Sequence, residues 1–156
     1  MSRSRIRNAE LVGLKIVKVS ESLQRASAAI FKDNDLSAPQ YNVLRILRGA
    51  AAAPLSCQEI ATRMIKRVPD ITRLLDRLVA RKLVDRSRCE DDRRVVRTVI
   101  TPAGLDLLAA IDGPLRRQVH DNFRRLPQDE LEQLDRLLDL LDAGIAESRQ
   151  DRRTTC

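Results

Sequence analysis

The 156-residue sequence predicts a mainly α-helical fold carrying one small antiparallel β-hairpin, on three observations. Aliphatic residues dominate and only Phe31, Tyr41 and Phe123 are aromatic, so the core is built from Leu, Ile, Val and Ala, which favours helices over a β-sandwich. Apolar residues recur at helical intervals along most of the chain, with Pro, Gly, Ser and Asp marking the ends of the runs. After Lys82 the period changes, and short β-branched or alternating stretches flank a polar hexapeptide. The length suits one domain with a real core.

The first helix is predicted over residues 8–32, where Leu11, Leu14, Ile16, Val17, Leu23 and Ile30 fall at roughly helical spacing with no proline between them. It stops at Asp33-Asn34-Asp35. Ser37 with Gln40 three residues on is a capping box, in which each side chain satisfies a backbone N–H of the other's turn, and it opens a second helix carrying Tyr41, Val43, Leu44, Ile46 and Leu47 as far as Gly49. Residues 50–54 are a linker. Ser56 with Glu59 is a second capping box, starting a short helix through Ile60, Ala61 and Met64.

Pro69 suits the first turn of the next helix, where its missing N–H would have no partner, and Asp70 favours the positive end of the helix dipole. Ile71, Leu74, Leu75, Leu78 and Val79 form its buried stripe. Residues 83–88 and 95–100 are the two strands, and Cys89-Glu90-Asp91-Asp92-Arg93-Arg94 is the hairpin tip. Thr101-Pro102 begins a helix with Leu105, Leu108, Ile111, Leu115, Val119 and Phe123 on one face and Gly113-Pro114 placed to bend it. Pro127 opens the last helix, in which Leu131, Leu134, Leu138, Leu141 and Ile145 alternate intervals of three and four. This heptad seam is short, and it reads as a packing face in a helical dimer. Residues 148–156 read as a disordered tail.

The net charge of +7 is unevenly spread. Residues 1–44 hold seven basic and four acidic side chains, residues 45–97 fourteen and seven, and residues 98–156 eight and eleven, giving +3, +7 and −3. An excess concentrated in the middle third fits one part of the protein facing phosphates while another does different work.

Several function classes drop out. Three widely spaced cysteines, Cys57, Cys89 and Cys156, make neither a disulfide framework nor a C-x-x-C motif, and the one histidine, His120, has no cysteine near it, so neither metal nor cofactor is expected. Cys57 reads as packing, and Cys89, beside the hairpin tip, is the cysteine to watch for redox sensing. There is no glycine-rich phosphate loop and no nucleophile beside a base, so an enzyme is not expected. No apolar run approaches the ~20 residues that cross a bilayer, and no signal-peptide stretch follows Met1, so a cytoplasmic protein is expected.

The order helix, helix, short helix, helix, two strands, helix, helix resembles the MarR family of winged helix-turn-helix transcriptional regulators. Pro69-Asp70-Ile71-Thr72-Arg73-Leu74-Leu75-Asp76-Arg77-Leu78 is similar to that family's recognition helix, and Lys82-Leu83-Val84-Asp85-Arg86 to its exit into the first wing strand. The family's wing signature, Asp-x-Arg, five residues, an aliphatic residue, Thr, two residues and Gly, is matched by Asp92-Arg93-Arg94, Val95 to Val99, Ile100-Thr101 and Gly104, with Ile100 where Leu is usual.

The resemblance implies a winged helix-turn-helix lobe at 37–101, a helical dimerisation region at 8–36 and 102–147, and a homodimer reading double-stranded DNA, more often as a repressor. Chemistry suits the residues. Arg can bond guanine bidentately and Thr can meet a base edge or a thymine methyl, and Arg73 and Arg77 lie one turn apart with Thr72 and Asp70 nearby, leaving Leu74 and Leu78 for the core. Arg67 and Pro69 lead into this helix. Intrahelical ion pairs of Arg73 and Arg77 with Asp70 or Asp76 are the competing reading.

The resemblance also carries a minor-groove role onto Arg94, with Asp92 bracing it and Arg93 beside it. Ser56 and Gln58, at a helix N-terminus, and Arg86 and Arg88, on the wing strand, are candidate phosphate contacts. Leu11, Leu14, Leu131, Leu134, Leu138, Leu141 and Ile145 are the candidate dimer contacts. The family further implies a small-molecule effector of the aromatic or amphipathic carboxylate class. Arg45 or Arg48 could pair its carboxylate, contact phosphate or stay solvated. A winged protein-interaction module without DNA binding and a redox regulator using Cys89 are the alternatives.

Overall fold

The computed structural model describes residues 3–51, 53–88 and 96–154. The chain divides into two compact units, Met1–Gln118 and Val119–Cys156. The elements in order are α1 (Arg3–Asp33), α2 (Ala38–Gly49), β1 (Leu55–Ser56), α3 (Cys57–Arg63), α4 (Ile71–Ala80), β2 (Val84–Arg88), β3 (Val96–Ile100), α5 (Pro102–Phe123) and α6 (Gln128–Thr154).

The first unit is organised around α2. Its Val43, Leu44 and Leu47 are buried with Ile60 of α3, Leu74, Leu75 and Leu78 of α4, Val84 of β2, and Leu108 and Ile111 of α5. Each such aliphatic side chain contributes about 1.5–3 kcal/mol by leaving water, which is what holds three short helices and a narrow sheet together. Phe31, near the end of α1, meets Tyr41 with ring centroids 4.7 Å apart and so joins α1 to α2.

Both predicted capping boxes form. Ser37 Oγ accepts from the Gln40 N–H at 3.4 Å and Gln40 Oε1 accepts from the Ser37 N–H at 2.8 Å; Ser56 and Glu59 repeat the arrangement at 3.3 and 2.8 Å. The strands form an antiparallel sheet in the order β1-β3-β2, with Thr98 opposite both Leu55 and Arg86. Strand β1 was not expected, because two residues are too few to display a period.

The Thr-x2-Gly end of the wing signature has a structural reason. Thr101 Oγ1 accepts from the Gly104 N–H at 3.1 Å and donates to the Lys82 carbonyl at 2.7 Å, while its own N–H bonds Leu83 O. A Cβ at Gly104 would sit 2.3 Å from Leu83 O and 2.7 Å from Ile100 Cγ1, so glycine alone lets α5 start this close to the sheet.

Several expectations need correction. Helix α1 begins five residues before the predicted start. Pro69 precedes α4 instead of lying in its first turn: Asp70 is the N-cap, its Oδ1 accepting the Arg73 N–H at 2.9 Å. Val79 of α4 is exposed, outside the buried stripe drawn for that helix. As expected, Pro114 lies inside α5. The predicted tail from Ser148 is helical as far as Thr154, because no Gly or Pro interrupts it and Gln and Arg are good helix formers. The hairpin tip, with Cys89, Asp92, Arg93 and Arg94, and Cys156 lie outside the described residues.

Candidate nucleic-acid interface

Helix α4 is strongly two-sided. Leu74, Leu75 and Leu78 are buried, whereas Thr72, Arg73, Asp76 and Arg77 are exposed, so the core itself orients the polar face outward. Asp70 occupies the N-cap, and its second oxygen lies 3.8 Å from Arg73 Nε. The competing ion pair therefore exists for Arg73. It is an exposed contact, worth at most a few tenths of a kcal/mol and easily exchanged for a base or phosphate. Among the described residues no carboxylate pairs with Arg77.

Arg86 sits differently from the expectation of a phosphate contact. It points inward, its side chain 22% exposed, and Nη1 donates to Asp76 Oδ1 of α4 at 2.6 Å while Nη2 lies 3.9 Å from Cys57 Sγ of α3. Its Nε is buried without a partner. The guanidinium thus ties the first wing strand to both helices of the helix-turn-helix. Arg88, two residues on, is exposed. Asp76, Val79, Ala80, Arg86, Ser87, Arg88 and Val96 line an open groove of about 500 Å³ between α4 and the wing strands.

At the start of α3, the Ser56 hydroxyl is occupied by its cap, and Gln58 is exposed. Glu59 accepts from Arg97 Nη1 at 2.8 Å, and Arg97 also reaches Pro54 O. Hydrogen bonds from Ser56, aided by Arg97, hold the Glu59 carboxyl below its ordinary pKa. Arg67 and Pro69 are exposed in the turn before α4. At the other end of α4, Arg81 donates to the carbonyls of Asp35 and Asn34, anchoring the helix to the turn between α1 and α2.

Arg48 is not free for an effector. Its Nη1 and Nη2 donate to the two oxygens of Asp112 at 2.7 and 3.3 Å, joining α2 to α5. That hydrogen bonding raises the Arg48 pKa and lowers that of Asp112. Arg45 lies over the Tyr41 ring, 5.9 Å from its centroid, and burial raises the Tyr41 hydroxyl pKa. His120 is exposed, with Nδ1 3.5 Å from Asp121.

Arg97, Arg81 and the Arg48–Asp112 pair were missed in the sequence, since pairs 38 to 64 residues apart leave no local pattern. Arg86 did carry a signal: side chains alternate along a strand, and Arg86 falls two residues after the buried Val84, on the same face.

The chain is similar to known proteins in sequence and fold. The MarR family model matches residues 36–96. The chain is 38% identical to a MarR transcription factor from Planctomyces limnophilus, covering 84% of this chain and 95% of that one with a TM-score of 0.66. A mutant MarR from E. coli solved in complex with operator DNA is 25% identical, covering 83% and 92%, with a TM-score of 0.75. The HTH-type transcriptional repressor IacR of Pseudomonas putida is 29% identical over 112 residues, 72% of this chain. The chain spans 66% of that repressor's length and 52% of that of the Bacillus subtilis regulator YpoP. The outward basic face of α4, the braced wing strands and these likenesses together establish that the chain belongs to the MarR family of transcriptional regulators.

Proposed function

We propose that the protein is a homodimeric, sequence-specific repressor that binds a pseudo-palindromic operator in double-stranded DNA and is released from it by a small-molecule effector. The observation that carries this reading is α4, which is capped, buried along one face and directs Thr72, Arg73 and Arg77 outward. In the major groove these side chains would read base edges, while Arg67, Gln58 and Arg88 reach phosphates and backbone N–H groups at the start of α3 add to them. By the wing motif Arg94 is assigned to the minor groove, with Asp92 bracing it and Arg93 beside it. Pro69, Asp70 and Ser56 shape the helix ends that present these groups, and Arg86 braces the wing strand against α4.

Two copies place two recognition helices on one face of the duplex. The exposed Leu11 and Leu14 of α1 and Leu134, Leu138, Leu141 and Ile145 of α6, with Leu131 beside them, support such a dimer. No described helix is long and apolar enough to cross a membrane, and the DNA partner puts the protein in the cytoplasm. With Arg48 engaged by Asp112, Arg45 is the cation of that helix left to meet an effector carboxylate. Footprinting on DNA flanking the protein's own gene is the test. The expected result is protection of a pseudo-palindrome with half-sites roughly 10 bp apart; uniform protection, or none, overturns the reading.

A further inference from the structure

Helices α1 and α4 end in the same way. At α1 the Leu36 N–H reaches Phe31 O at 2.9 Å and the Asp35 N–H reaches Lys32 O at 3.0 Å; at α4 the Leu83 N–H reaches Leu78 O at 3.0 Å and the Lys82 N–H reaches Val79 O at 2.8 Å. This nested pair of bonds places one residue in the left-handed region, where glycine is the usual occupant because a side chain is strained there. Here the residues are Asp35, with φ 52°, and Lys82, with φ 57°. Both ends therefore hold a conformation that persists where the surroundings over-determine it, as they do at positions under functional constraint.

Arg81 connects the two ends. It is the C-cap of α4, and its guanidinium donates to the carbonyls of Asp35 and Asn34, the latter at 3.4 Å, in the turn that closes α1. A cation is favoured there, at the negative end of the α1 dipole. The next two residues hold α5: Lys82 O accepts from Thr101 Oγ1 at 2.7 Å and Leu83 O from the Thr101 N–H at 3.1 Å. Leu36 and Leu83, each just past the left-handed residue, are buried in the core. Three consecutive residues at the end of the recognition helix thus grip the end of α1 and the start of α5, the two helices that lead from the lobe into the proposed dimerisation region.

We propose that Arg81 is a positioning residue that sets the separation of the two recognition helices in the dimer, and with it the half-site spacing that the protein accepts. The inference rests on the DNA-binding homodimer proposed above and names a residue that governs its choice of site. One base pair more or less between half-sites moves them by about 3.4 Å along the duplex and about 35° around it. A reader gripped at its end cannot follow that displacement. With the Arg81 grip released, α4 can tilt to follow it, and binding then has to order the helix on contact.

Fluorescence anisotropy tests this on the footprinted operator and on duplexes with one base pair inserted at, or removed from, its centre, for the wild type, Arg81→Ala and Arg81→Lys. The wild type should bind the altered duplexes about tenfold or more weakly than the operator. Arg81→Ala should bind the operator more weakly than the wild type does, yet prefer it over the altered duplexes by less than about threefold. Arg81→Lys, whose ammonium keeps the charge and can reach one carbonyl, should fall between, and it carries the test if circular dichroism shows Arg81→Ala to be unfolded. The slope of log affinity against log salt should match the wild type in both variants, because the Arg81 guanidinium is bonded to carbonyls and touches no phosphate. Folded variants that keep the wild-type spacing preference, a slope reduced by about one, or a wild type indifferent to spacing would each overturn the role of Arg81 while DNA binding stands. If the wild type binds no operator at all, the repressor reading falls instead.

Discussion

The helix-turn-helix lobe and the last helix solve the same problem in opposite ways. In the lobe, Val43, Leu44, Ile60, Leu75 and Leu78 are inaccessible to water, so a single chain completes that core. In α6, Leu134, Leu138, Leu141 and Ile145 remain 37–44% exposed along a regular apolar seam. The lobe closes its own core, and the α6 seam is the face assigned to the proposed dimer. Rigidity suits a surface that must match DNA, since a reading helix held by its own core needs no ordering on contact.

The largest effect expected from this contrast is on leucines. Leu75→Ala should lower the stability of the folded chain by about 2–5 kcal/mol in denaturant titration, the cost of deleting a fully buried side chain. Leu138→Ala should leave lobe unfolding nearly unchanged and instead raise the dimer dissociation constant in sedimentation. Equal loss of lobe stability in both variants breaks the comparison.

A smaller effect is expected in acid. The Arg48 hydrogen bonds hold the Asp112 carboxyl below its ordinary pKa, and Ser56 does the same for Glu59. For a depressed carboxyl the unfolded chain binds more protons, so the stabilisation is present above the ordinary carboxylate pKa near 4 and is lost as pH falls through the lower folded value. Melting temperature should therefore drop below about pH 4, and Asp112→Asn should melt lower than the wild type at neutral pH while losing less on acidification. The pair is partly exposed, so the neutral-pH difference should be roughly one to four degrees. An identical acid response in wild type and variant would remove Asp112 from the account.

Much of this was legible in the residues and some was not, for physical reasons. Ser37-Gln40, Ser56-Glu59, the α4 leucine stripe and the wing signature are local patterns, and local chemistry decides caps and helix faces. Thr101 and Gly104 could be matched as a motif, but their reason, the approach of α5 to Leu83 O, appears only in three dimensions. The destinations of Arg48, Arg81 and Arg97 were hidden because nothing near an arginine in sequence says which distant carboxylate or carbonyl it will meet. The basic middle third thus mixed two populations: Arg73, Arg77 and Arg88 face solvent, while Arg86 and Arg97 hold the wing strands to the helices.

That division is tested most directly by the salt dependence of operator binding, followed by fluorescence anisotropy for the wild type, Arg77→Ala and Arg86→Ala. Wild-type log affinity should fall linearly with log salt concentration. Arg77→Ala should lose about 1–3 kcal/mol and discriminate less between operator and altered sites. Arg86→Ala should weaken binding with the wild-type salt slope, because it braces α4 without touching phosphate. A slope reduced by about one in Arg86→Ala, the mark of a lost phosphate contact, or binding that does not respond to salt, would contradict the account.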